Sequence, residues 1–150
     1  MNLNKSTRFA LYALIALARE APEKLNVQEI ASRFRVSEHH LSKVMQALTR
    51  AGYVDGLRGA AGGYQLARDP KAITVMDVIR VFEPDFLSND CQLKSGQEDC
   101  GREHSCCSLR NLFSEISLQV SATFTAVTID TLARQEMEAA PSRSAGPILA

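Results

Sequence analysis

Four cysteines fall within 17 positions of this chain: Cys91, Cys100, Cys106 and Cys107. The first three follow the spacing C-x8-C-x5-C, inside a polar, Gly-containing stretch whose side chains lack the periodicity needed to pack a core. Thiolates are soft ligands that suit iron-sulfur clusters, zinc or copper. Closed zinc sites favour C-x2–4-C knuckles, and this spacing offers none, so zinc is the weaker match. Cys107 is adjacent to Cys106, and side chains of neighbouring residues diverge; it is a spare thiol or a disulfide partner. Without a metal, the same thiols could act as a redox-sensitive set.

A second constellation lies upstream. Ser37 is a good N-cap for a helix in which Leu41, Val44, Met45 and Leu48 share one face and His39, His40, Lys43, Gln46 and Arg50 another. A helix that enters the DNA major groove needs hydrogen-bonding side chains near its start and an apolar reverse face. Ser37, His39, His40 and Lys43 are the candidates for base or nearby phosphate contacts, with Gln46 and Arg50 directed to the backbone. A solvated polar face is the plainer reading of the same residues. Just downstream, residues 53–57 and 64–67 read as two short strands joined by a basic, Gly-rich tip. There Arg58 could enter a narrow minor groove while Gly59, Gly62 and Gly63 let the backbone come close.

The elements that must position these groups follow from periodicity and caps. Residues from Asn4 to Glu20 are helix formers that are apolar almost all round, which predicts a buried first helix. Asn26 with Glu29 has the form of a capping box and opens a short second helix; Arg35-Val36 makes the turn into the third. Thr74 with Asp77 repeats the signature, and Pro84 stops that helix. Leu109, Leu112, Phe113, Ile116, Val120, Phe124 and Val127 then mark one long amphipathic helix, and Thr128 caps a short last one to Gln135. The predicted fold is mainly α with a small β-hairpin wing, a winged helix-turn-helix followed by a long dimerisation helix. Its parts are a DNA-binding domain at 1–82, a cysteine-containing loop at 83–107, dimerisation helices at 108–135 and a disordered tail at 136–150.

Composition narrows the function classes. The 150 residues carry 17 basic and 17 acidic side chains, yet residues 1–82 hold twelve basic against seven acidic, and residues 83–150 five against ten. A basic first half fits a polyanionic partner such as double-stranded DNA. The apolar stretch from Phe9 to Ala18 imitates a signal peptide, but its would-be cleavage region is charged and it runs into a patterned helical region. No run reaches the ~18 apolar residues of a membrane span, so a cytoplasmic protein with reduced thiols and no membrane partner is expected. Substrate and nucleotide motifs are lacking, and so is a nucleophile triad, so no enzyme is expected. An iron-sulfur redox protein would leave the basic wing unexplained. The long apolar stripe exceeds what the small domain before it can cover, and a homodimer pairing two DNA half-sites follows.

The stretches Ser37-Glu38-His39-His40-Leu41-Ser42-Lys43, Ala51-Gly52-Tyr53-Val54 and Arg58-Gly59-Ala60-Ala61-Gly62-Gly63-Tyr64-Gln65-Leu66 resemble the Rrf family of winged-helix regulators (IscR/NsrR/RirA-like). The likeness runs from Met1 to about Gln135. It implies a dimeric DNA-binding repressor or activator in which Cys91, Cys100 and Cys106 hold a 4Fe-4S or 2Fe-2S cluster that senses nitric oxide, iron or redox state. Two positions depart from relatives. Leu109 stands where the IscR-like branch has a histidine, and Arg8 where the NsrR-like branch has an aspartate ligand. The fourth ligand then falls to an external molecule, then His104, then Glu103, with Cys107 or water also open, and a cluster-free thiol regulator is the alternative.

Overall fold

A computed structural model describes residues 3–57, 59, 62–87 and 108–139. The first helix, α1 (Lys5–Glu20), is capped by Asn4, whose side chain accepts from the Thr7 N–H at 2.8 Å. Small and large apolar residues alternate along it, so Ala10, Ala13, Leu14, Ala16 and Leu17 are all but removed from solvent. Helix α1 is thus the central post of the molecule, packed on by the elements that follow.

Helix α2 (Val27–Phe34) begins with the expected reciprocal capping box between Asn26 and Glu29, at 2.7 and 2.8 Å. It ends in Arg35, whose left-handed φ of 52° turns the chain sharply. Helix α3 (Glu38–Arg50) follows and buries Leu41, Val44, Met45 and Leu48. Ser37 occupies its N-cap position, but no side-chain cap bond forms; its carbonyl accepts from the Leu41 N–H at 2.9 Å. Strands β1 (Val54–Leu57) and β2 (Gly63–Leu66) pair antiparallel, with Val54 opposite Leu66 and Leu57 opposite Gly63. Leu25 extends this hairpin by exchanging two backbone bonds with Tyr64, which fastens the wing to the start of α2.

After a 3-10 turn at Pro70–Ala72, helix α4 (Val75–Phe82) opens on the second predicted capping box, Thr74 with Asp77. Helices α5 (Ser108–Ala126) and α6 (Ile129–Ala139) complete the described chain. Backbone bonds from Val75 N–H to the Val127 carbonyl and from Ile129 N–H to the Ile73 carbonyl, each 2.9 Å, clip the turn between α5 and α6 onto the start of α4.

Within the chain, the two helices expected to serve dimerisation pack differently. Ile129 and Ala133 of α6 are buried in the main core, so α6 belongs to the N-terminal domain in space. The last helix also continues past Gln135 into residues expected to be disordered. The physical reason is that residues 134–139 are good helix formers, and Glu136 pairs with Arg19 of α1 at 3.1 Å. Residues 140–150 lie outside the described ones. Along α5 and the residue after it, Val127, one stripe splits in two. Phe124 and Val127 pack against Val75, Met76 and Ile79, whereas Leu109, Leu112, Phe113 and Ile116 of the same stripe stay exposed. Length explains this: at ~1.5 Å per residue, the 19 residues of α5 span about 28 Å and the eight of α4 only about 12 Å.

Candidate nucleic-acid interface

The apolar reverse face of α3 seats it on α1, and that packing decides which polar side chains face outward. Ser37, His39, Lys43, Gln46 and Arg50 are all exposed. His39, Lys43, Gln46 and Arg50 recur at helical spacing and form one hydrogen-bonding ridge with two permanent cations, while Ser37 stands at the N-cap, at the end of the helix. His40 departs from this set. Its ring turns toward α1, with Nε2 3.1 Å from Ser6 Oγ and the ring meeting Phe9 edge-on at 5.1 Å between centroids. Adjacent helical residues lie ~100° apart, so His40 is half-buried on the α1 side of the predicted face while His39 is exposed. A cleft of about 250 Å³ opens between Ser6, His39, His40, Lys43, Val44 and Phe82.

On the wing side, a cleft of about 430 Å³ runs between α3 and the hairpin, lined by Gln46, Thr49, Arg50, Gly56, Leu57, Gly63 and Tyr64. Thr49 was missed in the sequence reading although it is exposed and sits three residues after Gln46; the helical period alone was a sufficient signal. Arg58 lies outside the described residues. The wing glycines have separate reasons. Gly59 adopts φ +118° with open space around its α-carbon, so the tip can turn without a side chain in the way. A Cβ on Gly62 would lie 2.5 Å from the Leu57 carbonyl oxygen, and one on Gly63 would lie 3.1 Å from that of Leu25. Gly62 is thus required by the hairpin's own backbone, before any groove is considered, while Gly63 has a tight fit against Leu25, which precedes α2.

Arg68 is a second residue that sequence reasoning missed. Its Nε donates to the Gly52 carbonyl at 2.9 Å and its guanidinium lies 4.8 Å from the centroid of the Tyr53 ring. It braces the junction between α3 and β1, and so the angle between reading helix and wing. Burial holds the Tyr53 phenol above its ordinary pKa of 10.0; the Asp77 carboxylate adds to this, and Arg68 and Arg80 oppose it. Tyr53 is therefore neutral wherever DNA is bound at physiological pH. Nothing in the sequence marked Arg68, since its partners are 15 and 16 residues away.

Cys91, Cys100, Cys106 and Cys107 lie outside the described residues. Among the described residues, no group of three or more His, Cys, Asp or Glu side chains is placed to hold a metal ion. The two described positions at which relatives were expected to supply a ligand carry none: Arg8 and Leu109 are both exposed, and neither side chain can ligate iron. No helix among the described residues is long and apolar enough to cross a membrane.

Comparison with known proteins agrees with this geometry. Residues 3–135 match a family model described as Rrf2, iron-dependent transcriptional regulator. The chain is 31% identical over 139 residues to the HTH-type transcriptional regulator NsrR of Oceanobacillus iheyensis, covering 92% of this chain and 93% of that one. It is 40% identical over 92 residues to NsrR of Bacillus subtilis, covering 61% and 63%. Among solved structures, CymR, the global cysteine regulator of B. subtilis, superposes with a TM-score of 0.73 at 29% identity over 90% of this chain and 98% of that one. T. potens IscR shares the fold, with a TM-score of 0.75 at 24% identity over 95% and 93%. An outward polar ridge on α3, a hairpin wing beside it and a family match over most of the length lead to one conclusion: the chain belongs to the Rrf2 family and is a DNA-binding transcriptional regulator.

Proposed function

We propose that the chain works as a cytoplasmic, non-enzymatic homodimer that binds a double-stranded operator and whose affinity is set by an iron-sulfur cluster on Cys91, Cys100 and Cys106. The observation that carries the DNA part is the exposed ridge of His39, Lys43, Gln46 and Arg50, with Ser37 at its N-cap end, flanked by the wing cleft. Short side chains near the start of α3 read base edges, while Lys43 and Arg50 neutralise phosphates. Arg58 enters the neighbouring minor groove from the wing. Gly59, Gly62 and Gly63 keep the hairpin narrow enough for that approach.

Homodimer formation is supported by the uncovered half of the α5 stripe, where Leu109, Leu112, Phe113 and Ile116 are each roughly half exposed. A second copy laying the same stripe alongside would bury these residues and place two α3 helices for two half-sites. Three soft thiolates fit an iron-sulfur cluster. With Arg8 and Leu109 unable to ligate, the fourth position goes to an external ligand, then to His104, then to Glu103. When bound, the cluster supplies an exchangeable iron site open to nitric oxide, oxygen or iron loss. The cysteine-bearing segment joins α4 to α5, so its state bears on the spacing between the reading domain and the dimer helix.

Likeness to CymR, a cysteine regulator of which an oxidized form has also been solved, supports a second reading, in which the same thiols respond to redox state without metal. Anaerobic purification followed by iron and acid-labile sulfide analysis and a visible spectrum separates the two. The cluster reading expects colour in the wild type and its loss in Cys100→Ala. An iron-free protein that resists reconstitution refutes it and leaves the thiol reading.

A further inference from the structure

The first turn of α1 is held from two sides. From the α4 side, Glu83 Oε1 accepts from the Asn4 backbone N–H at 3.0 Å and from the Thr7 hydroxyl, while Asn4 Nδ2 donates to the Phe82 carbonyl at 3.2 Å. Thr7 is fully buried, and its N–H is already capped by Asn4. The Glu83 carboxylate therefore adds a tie between elements, favoured by the partial positive charge at the start of α1. From the α3 side, Ser6 holds His40 at 3.1 Å and Phe9 receives the His40 ring. Phe82 and His40 also line the same cleft with Lys43. Glu83 ends α4 and stands eight residues before Cys91.

We propose that Glu83 is a positioning residue: through the first turn of α1 it sets the pose of His40, and with it the angle at which α3 meets DNA. The turn thereby links the chain entering the cysteine-bearing segment to the DNA-reading helix. This rests on the reading of α3 as the operator contact. Packed interiors pass on small displacements, because side chains in contact cannot absorb them by compression.

The link is tested first without DNA, by imidazole NMR of the full-length chain labelled at its three histidines, in wild type, Glu83→Ala, Glu83→Gln and Thr7→Val. Glu83→Ala is expected to move the His40 ring signals and leave those of exposed His39 in place. Glu83→Gln keeps an oxygen acceptor and is expected to restore them. If Glu83→Ala fails to fold, Thr7→Val, which removes the hydroxyl that contacts both Glu83 Oε1 and Asn4 Oδ1 at nearly constant volume, carries this arm. The second arm measures binding to a duplex of about 30 bp selected from a random pool by the wild-type chain. Losses of about tenfold for Glu83→Ala and about threefold for Ser6→Ala are expected, with the double variant no worse than Glu83→Ala alone, since coupled residues are non-additive. Unmoved His40 signals, or losses that multiply, overturn the proposal. A wild-type chain that selects no duplex refutes the operator reading instead, and the NMR arm still decides the link.

Discussion

Phe113 offers a direct measure of how much the uncovered half of α5 contributes to self-association. Its side chain is 47% exposed in the single chain, so pairing would bury about half of it. Full burial of a Phe is worth about 1.5–3 kcal/mol, which makes the remaining half about 1 kcal/mol per copy. A two-fold interface uses the residue twice, so Phe113→Ala is expected to cost about 2 kcal/mol of dimer stability and to weaken the dimer about thirtyfold. Sedimentation velocity over a dilution series reads this as a shift of the monomer–dimer midpoint. Leu118 provides the control: it is the most exposed large apolar residue among the described residues, at 69%, yet it lies half a helical circumference from the stripe. Leu118→Ala is expected to leave the midpoint unchanged. A Phe113→Ala chain that dimerises like the wild type, or a Leu118→Ala chain that falls apart, would refute the assignment of the stripe as the contact face.

Lys43→Ala and Arg50→Ala are each expected to weaken operator binding for all sequences and to lower the salt slope of log K by about 1, as read by fluorescence anisotropy at several salt concentrations; an unaltered slope removes the residue from the phosphate contacts. Gly62→Ala places a Cβ against backbone oxygens of Leu57 and Gly59, atoms that cannot step aside singly, so the wing must deform. Duplex affinity should fall at least tenfold while helical circular dichroism is retained, and wild-type binding would show that the wing is dispensable. Thr74→Ala removes a hydroxyl that both accepts from the Asp77 N–H and donates to its carboxylate, at 3.1 and 2.7 Å. A loss of about 1 kcal/mol in urea unfolding is expected; no change in midpoint would mean that water replaces the cap fully.

The sequence by itself determined the elements whose signals are local. Two capping boxes, the apolar stripes of α3 and α5, and a hairpin bounded by glycines each depend on residues three or four apart, or on a turn of a few positions. They predicted the winged helix-turn-helix before any long-range contact was known. The family was legible for the same reason, since its motifs are contiguous runs. What required the tertiary structure depends on partners distant in the chain. His40 faces inward because Ser6 and Phe9 lie 34 and 31 residues earlier in sequence but adjacent in space. Gly62 is fixed by backbone oxygens of Leu57 and Gly59. Arg68 gains its role from Gly52 and Tyr53. Helix α6 packs into the main core because Ile129, Ala133 and Glu136 find it and α1. Periodicity states that a face will be covered, but only the assembled core decides by what: α4 is too short to cover α5, and half of one continuous stripe is left for another surface.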